Sequence, residues 1–150
     1  MKNVFNTTDT NEIIARINTL TPTTTAQWGK MDVAKMLAHC NVSYELVYDN
    51  IHPKLNFFMR FIIKTLVKPK VVNEEPYTKN GPTGAMFIVK SDKDFETEKA
   101  RLIAYINKTQ ALGAAHFEGV ESHGFGVLTS TQWNNMFYKH LNHHLAQFGA

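Results

Sequence analysis

The sequence contains a single cysteine, Cys40, so no disulfide can close within the chain and a fold stapled by bridges is excluded. It has no block of five or six like charges. Its 16 basic residues are scattered, the formal net charge is only +3, and we read this balance as serving solubility. Neither the basic recognition helix of a DNA reader nor the aromatic and basic interleaving of an RNA-binding sheet is present, so no nucleic-acid partner is expected. Long apolar runs are missing as well. The most apolar stretch, Leu55 to Val67, is interrupted by Arg60 and Lys64 and is far shorter than the roughly 18 residues that span a bilayer. The opening MKNVFNTTDTNEIIARI holds no apolar core of signal-peptide length, so the expected location is cytoplasmic and no membrane partner is expected. A serine nucleophile elbow and a phosphate-cradling glycine loop are absent, and the glycines around Phe125 lack dinucleotide spacing.

What remains is a chain of 150 residues, 43% hydrophobic, long enough to bury a core as one domain over residues 1–150. Thr10 or Asp9 is a suitable cap for a first helix, in which Ile13, Ile14, Ile17 and Leu20 form one apolar stripe. The run TPTTTAQWG stops it. Asp32 suits the start of a second helix with Val33, Met36, Leu37, Cys40, Tyr44 and Val47 inward, ending before His52-Pro53. Leu55 to Val67 reads as a third helix, with Phe58, Phe61, Ile62 and Leu66 on one side and a basic ridge of Arg60, Lys64 and Lys68. We read it as a bundle helix with a solvated basic face; the alternative is an amphipathic helix resting on a membrane surface or a partner.

Pro69 to Ser91 forms a long connection with an Asn80-Gly81-Pro82 turn and a short extended piece at Ala85 to Val89. Connections of that length often cover a site. A fourth helix opens at Ser91 or Asp92, carries Phe95, Leu102, Ile103 and Ile106 inward, and closes at Gly113. Ala114 to Leu128 reads as irregular crossover chain. Thr129 or Ser130 then caps the clearest helix, whose inner side bears Trp133, Phe137, His140, Leu141, His144, Leu145 and Phe148, with Gly149 ending it. The fold class is therefore all-α.

His140 and His144 stand four residues apart on that helix, which stacks them on one face about 6 Å apart at Cβ, close enough to share one ion. Their stripe also carries Trp133, Phe137 and Phe148, so the pair points inward, where buried imidazoles need partners. A third ligand must come from another helix, and His39, mid-helix beside Met36, Leu37 and Cys40, is the best supplier. His143 is turned about 100° from His144, which faces it outward or behind a ligand. Gln147, one turn beyond His144, is placed to orient a ligand or a water. Cys40 reads as a buried core thiol rather than a nucleophile. Three neutral imidazoles leave a coordination position open, the arrangement of a catalytic or exchangeable site. Softness favours zinc or nickel; iron and manganese also tolerate the set.

WGKMDVAKMLAHC, Trp28 to Cys40, and LTSTQWNNMFYKHLNHHLAQFG, Leu128 to Gly149, with weaker matches at NGPT and DKDFETEKARL, resemble the DinB/YfiT-like metal-binding superfamily, in a branch known mainly as a domain of unknown function. The resemblance spans nearly the whole chain. It implies a four-helix bundle in up-down-down-up order, with a divalent metal held by His39, His140 and His144. The branch often shows His-Pro-Phe-Phe-Gly where this chain has His123-Gly124-Phe125-Gly126, a departure that leaves His123 without an assigned role. Relatives of this kind use the metal to bind a low-molecular-weight thiol as its thiolate and transfer it to an electrophile, or to activate water. The expected partner is thus a small molecule, with a low-molecular-weight thiol as one substrate. A non-catalytic, stress-associated ligand-binding or homodimeric assembly module with a structural metal is the alternative.

Overall fold

The computed structural model describes residues 1–49 and 51–150. The order along the chain is α1 (Thr7–Asn18), α2 (Val33–Tyr48), α3 (Phe57–Ile62), a π-helical turn (Ile63–Val67), α4 (Lys68–Val72), a 3-10 turn (Ala85–Phe87), α5 (Phe95–Phe117), β1 (Val120–Ser122), β2 (Gly126–Leu128) and α6 (Ser130–Gln147). The protein is mostly helical with one small antiparallel hairpin, in which Val120 pairs with Leu128 and Ser122 with Gly126. No helix among the described residues is long and apolar enough to cross a membrane.

The starts of the helices follow side-chain capping. Asp32 accepts from the Lys35 N–H at 2.8 Å and opens α2 as expected. Thr129 and Gln132 form a reciprocal capping box on α6. Two caps differ from the sequence reading. α1 begins a turn earlier, because Asn6 accepts from the Thr8 and Asp9 N–H groups, while Thr10 is buried and donates to the Val4 carbonyl at 3.0 Å. α5 is capped by Asp94 instead of Ser91 or Asp92; Gly113 interrupts it as expected, non-helical at φ 73°, and after this kink a further short helical segment runs to Phe117. The stretch 114–128, expected to be irregular, contains that last helical turn and the hairpin.

The core lies among α1, α2, α5 and α6. Ile13, Ile17, Val33, Met36, Leu37, Cys40, Leu102, Ile106, Leu141 and Leu145 are buried there, around a train of aromatic rings. Tyr44 stacks on Phe137 at 4.8 Å between centroids, Phe137 on Trp133 at 5.5 Å, and Phe117 meets Trp133 at 5.5 Å. Each such side chain contributes roughly 1.5–3 kcal/mol through burial. Burial pushes the Cys40 thiol up, consistent with a core residue and not a nucleophile. On the other side of α2, the buried carboxylates of Glu45 and Glu98 share the Arg101 guanidinium, and Asn41 donates to Glu98 at 2.8 Å, which pins α2 to α5.

The third predicted helix differs most. The helical rod begins at Phe57 instead of Leu55 and runs through the π turn to Val72, with Pro69 in the first turn of α4. It lies outside the core. Phe58, Phe61 and Leu66, expected to face inward, are 68%, 60% and 66% exposed, and only Ile62 of that group is partly covered. The rod is held at its far end, where the Lys139 ammonium on α6 donates to the carbonyls of Lys70 and Asn73 and Asn135 donates to that of Val72.

Candidate metal centre

α2 and α6 pack side by side and bring His39 against His140 and His144. One ligand nitrogen from each lies within 4.8 Å of the others, and this is the one group of potential metal-binding side chains among the described residues. Nitrogens around one tetrahedral zinc stand about 3.3 Å apart. The set is therefore close to a bound arrangement, somewhat looser overall and tighter at one edge, where the Nε2 atoms of His39 and His140 are 2.9 Å apart.

The hydrogen bonds behind the rings decide where the protons sit. His39 Nδ1 is 2.8 Å from the Phe87 carbonyl, which can only accept, so Nδ1 carries the proton and Nε2 offers a lone pair. Gln147 is oriented by donating its Nε2 to the Trp28 carbonyl at 2.7 Å, which turns its Oε1 to accept from His144 Nδ1 at 2.8 Å. His144 likewise presents a bare Nε2. His140 Nδ1 lies 2.8 Å from the Ser43 hydroxyl, which can donate or accept. Without a cation, His140 must keep its proton on Nε2 and donate to His39, with Ser43 donating to Nδ1. With a cation among the three rings, the proton belongs on Nδ1 and Ser43 accepts it. One hydroxyl accommodates both tautomers.

Electrostatics keeps the rings neutral, the form that binds metals. Burial lowers the pKa of His39, a shift partly opposed by the Phe87 carbonyl. His140 is held well below the usual histidine range by burial and then by His39 and His144. His144 falls to about 3, again mainly through burial. His39 and His144 are buried, whereas His140 remains partly exposed, its ring packed among His39, Phe87 and His144.

The long connection does cover the site. Ala85–Phe87 is a 3-10 turn instead of an extended piece, and it lays the Phe87 ring against both His39 and His140. His143 neither joins the trio nor points freely outward. It is partly buried, in edge contact with His144 at 5.0 Å, and it borders a cavity of about 310 Å³ that also involves Trp28, Tyr77 and Lys79. The Lys79 ammonium sits over the Trp28 ring at 4.2 Å. His123 lies elsewhere, on the turn between β1 and β2. Three site residues escaped the sequence reading. Ser43 had a legible signal, since it follows His39 by one helical turn. Phe87 acts through a backbone carbonyl, which no side-chain pattern reveals. Gly29 has φ +85°, and a Cβ there would come within 2.5 Å of Gln147 Nε2, so it makes room for the residue that orients His144.

A family model matches residues 2–150. The chain belongs to the family described as protein of unknown function (DUF1569). Membership in this family covers nearly the whole sequence and attaches no activity to it. No curated protein and no solved structure matches the chain.

Proposed function

We propose that this protein is a divalent-metal-dependent enzyme of the DinB/YfiT-like class, with α1, α2, α5 and α6 as the four bundle helices, that transfers a low-molecular-weight thiol to an electrophile. One observation carries the reading: three neutral imidazoles converge, two of them with Nε2 lone pairs fixed by acceptors behind Nδ1, and the third can adopt the same tautomer through Ser43. His39, His140 and His144 would hold the ion, zinc or nickel by ligand softness, with iron or manganese also tolerated by the donor set. When bound, such an ion supplies Lewis acidity that makes a thiol or a water acidic enough to react at neutral pH.

The chain's own residues do the rest. Gln147, Ser43 and the Phe87 carbonyl fix the ring orientations, and the Phe87 ring keeps bulk water off His39 and His140. Three imidazoles without a fourth protein ligand leave a coordination position open, which favours an exchangeable site over a closed structural one. Among the described residues no carboxylate belongs to the cluster. Activating water for hydrolysis commonly draws on such a base, whereas a thiol can release its proton to solvent; thiol transfer is therefore preferred over hydrolysis. The chemistry balances without a redox partner. The thiol proton leaves to solvent, a sulfur–carbon bond forms, and the bond to the leaving group breaks with its electron pair.

The same lack of a base favours a second reading, a structural ion in a ligand-binding or dimeric assembly module. A conjugation screen of small thiols against an aryl halide and an epoxide separates the two. Turnover by metal-loaded protein that disappears in His140→Ala supports the enzyme; a metal-free His140→Ala protein with full turnover rules the mechanism out. Chelation that lowers the melting temperature strongly, with no conjugation by loaded protein, supports the structural role.

A further inference from the structure

The rod from Phe57 to Val72 carries an apolar surface that nothing among the described residues covers. Phe57, Phe58 and Phe61 are 86%, 68% and 60% exposed, Leu66 is 66% exposed, and Met59 and Val67 are also open. Ile51 ahead of the rod and Val127 on the neighbouring hairpin, whose carbonyl accepts from Lys68, add to the exposed apolar surface of this region. Soluble proteins rarely leave a contiguous patch of this kind unless it meets something.

Charge indicates what it meets. Between Ile51 and Asn73 the sequence has five cations, Lys54, Arg60, Lys64, Lys68 and Lys70, and no acidic residue. Two acids from elsewhere reach this segment, Glu121 paired with Arg60 and Glu45 with His52, and neither pairs with its lysines. A second copy of the chain laid face to face on the rod by a two-fold axis would set these cations against themselves, which is costly at a desolvated interface. An anionic partner pairs with them. The combination of protruding phenylalanines and adjoining long basic side chains, whose stems can lie along an apolar boundary while their heads reach phosphates, is that of a helix lying in a lipid interface.

We propose that the Phe57–Val72 rod docks the protein on the surface of an anionic bilayer, with Phe57, Phe58 and Phe61 inserted at the headgroup boundary and Lys54 and Lys64 on the phosphates. The expectation of no membrane partner rested on the lack of a spanning segment and on packing this helix into the bundle; a surface-lying helix requires neither. Its anchoring to α6 through Lys139 and Asn135 lets the rod present this face without disturbing the core. The proposal is independent of the histidine cluster.

The test is co-sedimentation of the tag-free full chain with vesicles of phosphatidylcholine alone and with added phosphatidylglycerol, alongside light scattering of the free protein. Binding is expected on the anionic vesicles, weaker on the neutral ones, and falling as salt is raised. Lys54→Glu with Lys64→Glu should weaken it at least tenfold, since each cation near such a surface contributes roughly fivefold. Phe57→Ser with Phe58→Ser and Phe61→Ser should abolish it while circular dichroism stays unchanged, because these side chains contribute little to the core. Absence of vesicle binding, equal binding to both vesicle types, or binding untouched by charge reversal would overturn the proposal. So would a solution dimer that the phenylalanine variant converts to monomers, which would assign the face to a second copy.

Discussion

Replacing Gln147 separates orientation of a ligand from holding the fold together. Gln147 is buried, 4% exposed, and joins two groups: its Oε1 accepts from His144 Nδ1, and its Nε2 donates to the Trp28 carbonyl. Gln147→Ala leaves a buried Nδ1–H without an acceptor, at a cost of about 1–3 kcal/mol, and removes a further bond to Trp28. The metal-free protein should lose ~2 kcal/mol, or about 6 °C in Tm for a domain of this size. Loss of the partner behind a metal-binding imidazole costs about 10–100-fold in metal affinity. Gln147→Glu should behave differently. Its carboxylate still accepts from His144, so affinity for zinc should stay within about threefold of native. The same carboxylate faces the Trp28 carbonyl with no donor, so the melting temperature of the metal-free protein should still fall. Competition titration against a chromogenic chelator gives the affinities, and calorimetry of the metal-free proteins gives the stabilities. If Gln147→Ala bound zinc as tightly as native protein, or if Glu and Ala lost affinity equally, Gln147 would not act by orienting His144.

Two further outcomes follow from the same geometry. Gly29→Ala should weaken zinc binding several-fold, because its Cβ would displace Gln147 Nε2 and its φ of +85° strains any side chain. Its effect should largely vanish in a Gln147→Ala background, so additive losses in a double-mutant cycle would contradict the route through Gln147. In the metal-free protein, His144 has its pKa lowered from 6.5 to about 3, so the unfolded chain takes up its proton first as pH falls. Stability from this group is complete above pH 6.5 and is lost progressively toward pH 3, with a slope of about 1.4 kcal/mol per pH unit from His144 alone. Urea unfolding of native and His144→Phe proteins between pH 7 and pH 4.5 should show the native slope reduced in the variant; equal slopes would mean that His144 is not held neutral.

The parts of the fold legible in the sequence are those that local chemistry specifies. α2 and α6 combine a strong cap with an apolar stripe at helical spacing, and both lie as expected, with His39, His140 and His144 brought together between them. α1 began a turn early because Asn6 and Thr10 are both suited to capping, and the choice was made by Thr10 bonding to the Val4 carbonyl. The three-residue strands of the hairpin are too short for alternation to register. Periodicity in the Phe57 segment showed a helix with an apolar side, but what that side meets is a tertiary fact, and in this chain it meets none of the core. The supports of the site divide similarly. Gln147 is one turn from His144, which it contacts, and Ser43 is one turn from His39 although the ring it contacts is His140 on α6; Phe87 acts on His39 from 48 residues away through its backbone.

His39, His140 and His144 are proposed to bind one divalent ion. Elemental analysis of protein produced without a histidine tag or a metal column, followed by zinc titration of the chelated protein, tests this most directly. One divalent ion per chain is expected, with its loss in His140→Ala while helical content is retained. Protein that purifies free of metal and takes up none on titration, or a His140→Ala variant that binds as native, would contradict it.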